Sequence, residues 1–225
     1  MVSIINFVIS QSIWIPIIIG LVRFKIIKSE YLPFFWLLVV GLITEFISFL
    51  LIRYASHGHS YGSNAVPTNL FVLAEWLLLA YQFHIWGFLK KRKRFYYLLI
   101  SLPVFIWIVE NIIFGKIDVF SPYFRILYAF LITLAGITEI NYRITHDNKN
   151  LFRSPKFIIC IGLILFFVYQ ILYEWAYQVS LIAAPTGFTT SIISLFAYID
   201  AITNIIFGIA FLVAREEKEF KLESI

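Results

Sequence analysis

Residues 31–53 read YLPFFWLLVVGLITEFISFLLIR, an unbroken apolar run with a single acid, Glu45, inside it. About 20 such residues cross the hydrocarbon core of a bilayer, so the run is long enough to be a membrane helix. The same test is met at roughly 4–22, 67–89, 95–114, 122–142, 157–178 and 188–214. The chain therefore reads as all-α, a polytopic bundle of seven transmembrane helices. Residues 1–214 form one domain in this reading, and 215–225 are a short charged tail. The first run lacks a basic leader and a small-residue cleavage site, so it is expected to be a retained helix.

Composition agrees. The 225 residues are 61% hydrophobic and 14% charged, with a mean hydropathy of +0.87, whereas a soluble domain carries about 25% charged residues. One cysteine, Cys160, excludes a disulfide framework and a cysteine-based metal site. The net charge of +5 does not point to nucleic acid, because the bases are confined to short segments between spans. Arg23, Lys25 and Lys28 follow the first span, Lys90, Lys91, Arg92, Lys93 and Arg94 the third, and Arg143, Lys149, Arg153 and Lys156 the fifth. The tail holds Arg215, Lys218 and Lys221, which leaves only Arg53, Lys116 and Arg125 for the other side. By the positive-inside rule the N-terminus is outside and the C-terminus cytoplasmic, in a plasma or bacterial inner membrane. Aromatic clusters at span ends, such as Tyr31 with Phe34, Phe35 and Trp36, suit interfacial anchors.

The acids carry the functional signal. Glu45, Glu75, Glu110, Glu139, Glu174 and Asp200 fall within the expected spans, against one base, Arg125. A charge at that depth costs about 2.5–3.5 kcal/mol even on the gentler insertion scale, so such residues face a protein interior. Counting about 1.5 Å per residue puts Gln11, Glu45, Glu75 and Gln170 at similar depth, with Asp200 deeper and Asn204 one turn beyond it. Glu110 and Glu174 are shallower, and either can form a structural ion pair with Arg125. Glu139 lies near Arg143 at the cytoplasmic end and has a structural reading. Glu45 and Glu75 have no base beside them in the sequence. Two carboxyls close together cannot both ionise cheaply, which suits a proton relay or a cation site. The competing reading has each one hydrogen-bonded to Gln11, Ser48, Gln82 or a tyrosine hydroxyl, binding helix to helix. Pro16 and Pro103 lie inside spans, where each frees a backbone carbonyl, Pro16 that of Ser12. His84 reads as hydrogen-bonded packing, and His57 with His59 as a solvated loop. No nucleotide, zinc-protease or hydrolase motif is present.

Seven helices with the N-terminus outside is also the plan of the rhodopsins and of G-protein-coupled receptors, but the seventh span has no lysine for retinal. Membrane ceramidase-like hydrolases need several histidines in the bundle, and only His84 lies in a span. The prolines Pro67 and Pro185 stand in corresponding places before spans 3 and 7, as parallel repeats of small sugar and PQ-loop transporters would have them. Glu45, Asn69 and Glu75 give the chain a resemblance to small seven-helix bacterial membrane proteins with a Glu late in helix 2 and an Asn…Glu pair early in helix 3. That resemblance implies the fold and no activity.

The function expected is binding of protons or a small polar or cationic ligand by Gln11, Glu45, Glu75, Gln170, Asp200 and Asn204 in an outward-facing cavity. It would serve transport, or sensing through a cytoplasmic or membrane partner, with no metal or other cofactor and no catalytic residue assigned. A membrane-embedded lipid-modifying enzyme using Glu45 with Glu75 or Asp200, and a structural subunit, are the alternatives.

Overall fold

The computed structural model describes residues 11–27, 30–55, 64–87, 93–115, 117–146, 151–182 and 186–214. Among these residues every regular element is helical. A 3-10 turn, Gln11–Ile13, leads into α1 (Trp14–Val22). There follow α2 (Leu32–Ala55), α3 (Ala65–Ile85), α4 (Lys93–Ile108) with a π-helical continuation Val109–Ile113, α5 (Pro122–His146), α6 (Pro155–Ile182) and α7 (Gly187–Val213). Six of them, α2 to α7, are long and apolar enough to cross a membrane. The first expected span is represented by Gln11–Val22, which is shorter than a crossing. Residues 4–10 lie outside the described set, as do His57, His59, Lys90–Arg92, Pro185 and the tail.

Local chemistry explains the boundaries. Pro122 and Pro155 are the first residues of α5 and α6, where a missing N–H costs nothing. Thr186 and Thr189 form a reciprocal capping box at the start of α7, with bonds of 3.0 and 3.2 Å. The helix α5 runs past the expected end at 142 to His146. Arg143 pairs with Glu139 one turn back at 2.9 Å, and Tyr142 stacks on His146, so polar residues still support helix there. The break at Gln11–Ile13 falls one turn before Pro16, whose ring cannot accept a standard helical neighbour at Ser12.

The helices close into a ring. α1 packs on α2 and α7, α2 on α3, α3 on α5, α5 on α6, and α6 on α7, with α4 held outside against α3 and α5. Burial is inverted relative to a soluble protein. Asn69, Gln82, Gln170 and Glu174 are almost wholly buried, while Ile18, Phe46, Phe105, Leu172 and Ile209 stand exposed around the outside. Polar groups inside and apolar side chains outside are what a hydrocarbon solvent demands.

The end of the ring that gathers Arg23, Lys25, Arg143 and Lys156 is tightly sealed. Phe34 packs edge-on to Phe207 and Phe211, at 4.8 and 5.9 Å between ring centres. Gln82 accepts from the Phe34 N–H at 3.0 Å and donates to the Glu30 carbonyl at 2.5 Å, which satisfies the start of α2. Lys156 pairs with Glu30 at 2.8 Å. The Arg23 guanidinium donates to the carbonyls of Leu212 and Ala214, closing the free end of α7.

Close approach of α6 and α7 depends on Gly162, where an added Cβ would stand 2.5 Å from Cε1 of the Phe207 ring. Gly162→Val is expected to lower stability by roughly 1–3 kcal/mol, the usual cost of overpacking. Thermal unfolding in detergent reads this directly. Gly187→Ala, at a position where a Cβ meets nothing within 4 Å, serves as the neutral control.

Candidate functional site

Two polar assemblies lie inside the ring. The first runs across α6, α5 and α3. Gln170 Nε2 donates to the Tyr128 hydroxyl at 2.9 Å, and that hydroxyl donates to Glu75 Oε2 at 2.7 Å. An amide nitrogen can only donate, so the single phenolic proton is directed to the carboxyl. One turn away on the same two helices, Arg125 lies 2.8 Å from Glu174, with the carboxylate nearly fully buried. The Arg125 Nε–H is not aimed at the carboxylate oxygen, so this contact is ionic rather than a hydrogen bond. Arg125 also sits over the Phe120 ring, 5.5 Å from its centre.

Arg125 therefore takes Glu174, and Glu110 goes elsewhere. Its two oxygens accept from the N–H groups of Tyr123 and Phe124, at 3.2 and 2.8 Å, and so cap the start of α5. A carboxylate suits the positive end of a helix. Of the two partners the sequence offered Arg125, the structure pairs it with Glu174 and not with Glu110. The cause is the π-helical Val109–Ile113, which turns Glu110 toward α5 and Asn111 toward Ser121, with the Ser121 hydroxyl donating at 2.9 Å. Asn69 completes this staple, donating to the carbonyls of Ile117 and Val119 at 2.9 and 2.7 Å.

The second assembly joins α7, α1 and α2. Asn204 Nδ2 donates to Asp200 Oδ2 at 3.2 Å and to the Ser12 hydroxyl at 3.0 Å. Asp200 lies near enough for its charge to act on both Glu45 and Glu75. Glu45 and Gln11 line a cavity of about 490 Å³ with Trp14, Ile43, Phe46 and Phe49. Glu45 Oε2 is buried and has no hydrogen-bond partner.

The expected site residues thus divide. Gln11 and Glu45 share the cavity, Asp200 and Asn204 share a hydrogen bond, and Glu75 and Gln170 meet only through Tyr128. Gln82 does not reach any of them, because it is spent on the start of α2. His84 is stacked on Tyr96 at 4.5 Å with Nδ1 unbonded, which corrects the expectation of a hydrogen-bonded histidine. Glu139 is held by Arg143, itself within 3.5 Å of the Ser154 hydroxyl. Among the described residues no three His, Cys, Asp or Glu side chains come together as a metal-holding group.

Tyr128 is the residue that sequence reasoning missed. Its signal was spacing. Arg125 and Tyr128 share one face of α5, Gln170 and Glu174 one face of α6, and the two pairs face each other as rungs.

Compared with known protein families, curated proteins and solved structures, the chain matches none of them. The likeness to small seven-helix bacterial membrane proteins rests on Glu45, Asn69 and Glu75 alone.

Removing one member of the buried ion pair leaves the other charge stranded. Arg125→Gln or Glu174→Gln alone is expected to cost about 3–5 kcal/mol, with most of it recovered in the double replacement Arg125→Met, Glu174→Leu. Unfolding free energies of Arg125→Met, Glu174→Leu and their combination form the double-mutant cycle that measures this coupling.

Proposed function

We propose that the chain is a seven-helix multi-pass membrane protein, N-terminus outside, that binds protons or a small polar or cationic ligand at Glu45, Asp200 and Glu75. The binding serves transport, or sensing through a partner. The observation that carries this reading is Glu45 Oε2, buried at a cavity wall without any partner. A buried carboxylate left unpaired is costly, and a proton or a cation removes that cost. Asp200 adds a like charge that acts on Glu45, which favours a positive charge there.

Other features support the same reading. The only described base near these carboxyls, Arg125, is taken by Glu174. Gln11 offers an amide to the same cavity, and Asn204 holds Asp200 through a bond that leaves the acid's other oxygen to a ligand. The aromatic contacts of Phe34 with Phe207 and Phe211 at the basic end support access from elsewhere than that end. The Gln170–Tyr128–Glu75 chain supports a terminus for a relayed proton, since a hydroxyl both accepts and donates.

The test is uptake of protons and of sodium by purified protein in sealed liposomes. Glu45→Gln and Asp200→Asn are each expected to weaken binding by about tenfold or more, whereas Glu139→Gln stays within about twofold, tenfold being 1.4 kcal/mol. Accumulation beyond one equivalent per protein identifies transport, and stoichiometric binding without accumulation identifies a sensor. Uptake unchanged in both site variants overturns the proposal.

A further inference from the structure

We infer that the cavity beside Glu45 takes an organic cation with an apolar body, entering from the lipid side. This names a ligand class for one part of the site proposed above, and rests on that reading of Glu45 as a cation-holding group.

Charge comes first. Among the described lining residues Glu45 is the one ionisable side chain, and its Oε2 has no partner. The walls come second. Trp14, Ile43, Phe46 and Phe49 supply apolar and aromatic surface, and ring faces attract an ammonium or phosphonium centre once water is gone. An inorganic cation fits this lining badly. Hard divalent ions seek about six oxygen ligands and keep waters for those the protein lacks, whereas among the described lining residues only Glu45 and Gln11 offer side-chain oxygens. An organic cation brings its own apolar surface and needs a single counter-charge. A cavity of about 490 Å³ also lies within the range of small-molecule pockets, about 300–1,000 Å³.

The route is given by exposure. Trp14, Ile43 and Phe46 are 46%, 52% and 61% exposed while also forming the cavity wall. The mouth therefore opens on the apolar outer face of the ring, between the start of α1 and the second half of α2. A lipophilic cation already partitioned into the bilayer reaches Glu45 there without crossing the aromatic seal. Protons compete for the same oxygen, so the organic cation and acid displace one another.

Equilibrium binding of tetraphenylphosphonium to the protein in lipid nanodiscs tests this, with protein-free discs as the blank. A saturable, acid-displaced component is expected. Glu45→Gln, which keeps the side-chain shape, weakens it by about tenfold or more, as does Ile43→Trp, which fills the cavity and keeps the charge. Glu45→Asp retains measurable binding, and Glu139→Gln, away from the cavity and from the carboxyl set, stays within about threefold. Thermal unfolding of each variant confirms a folded sample. Absence of a saturable component, or one indifferent to Glu45→Gln, overturns the inference. If protons or sodium are still taken up in a Glu45-dependent way, the inference alone has failed. If tetraphenylphosphonium binds at Glu45 while that uptake ignores Asp200→Asn, the broader carboxyl-set reading has failed instead.

Discussion

A polar side chain surrounded by hydrocarbon must find its partner within the protein, because no water is there to replace one. That constraint orders the bundle. Most of the described buried polar groups in the ring are matched, across a helix seam or one turn back on their own helix, although Thr203 Oγ1 and His84 Nδ1 are not. Gln82 closes the start of α2, Glu110 the start of α5 and Arg23 the end of α7, so three helix ends are satisfied by side chains from other helices. Tyr128 and Arg125 do the same work in the first two turns of α5, each reaching a neighbour rather than its own helix. Against that background of satisfied groups, Glu45 Oε2 is conspicuous.

The two halves of the ring divide the labour. Toward the basic end, aromatic rings pack closely against glycines: Gly20 faces Phe35, and Gly162 faces Phe207. Such packing holds the helices at fixed distance and blocks passage. Nearer the other end the helices are irregular. The 3-10 turn at Gln11–Ile13 and the π-helical Val109–Ile113 both occur there, and both carry polar residues of interest. Irregular backbone in a membrane protein is tolerated where it is covered by protein or borders a cavity. π-helical turns in particular re-aim side chains, as Glu110 and Asn111 illustrate.

Much of the helical plan was legible because hydropathy responds to length alone, and α2 to α7 lie within a few residues of the expected spans. Ends were less legible. His146 stays helical through the Glu139–Arg143 pair, a polar interaction that a hydropathy window counts against helix. The site was legible in part. Depth along a straight helix grouped Gln11, Glu45, Glu75 and Gln170, of which only Gln11 and Glu45 line the cavity, and it could not choose between Glu110 and Glu174 for Arg125. That choice depends on a local change of helical pitch that no periodicity shows. Tyr128 was hidden for a different reason, since phenylalanine, tyrosine and tryptophan make up 19% of the chain and most suit interfacial anchoring. Only pairing its position with Arg125, and Gln170 with Glu174, would have singled it out.

The central claim is that Glu45, Asp200 and Glu75 act as one electrostatic set rather than three separate buried acids. Infrared difference spectroscopy of the carboxylic C=O bands, recorded on acidification of protein in lipid, tests it most directly. Bands assigned to Glu45 and Glu75 by their loss in the Gln variants should both shift in frequency or titration midpoint when Asp200 is replaced by Asn, and should not respond to Glu139→Gln. Bands for Glu45 and Glu75 that are unmoved by Asp200→Asn would contradict the account.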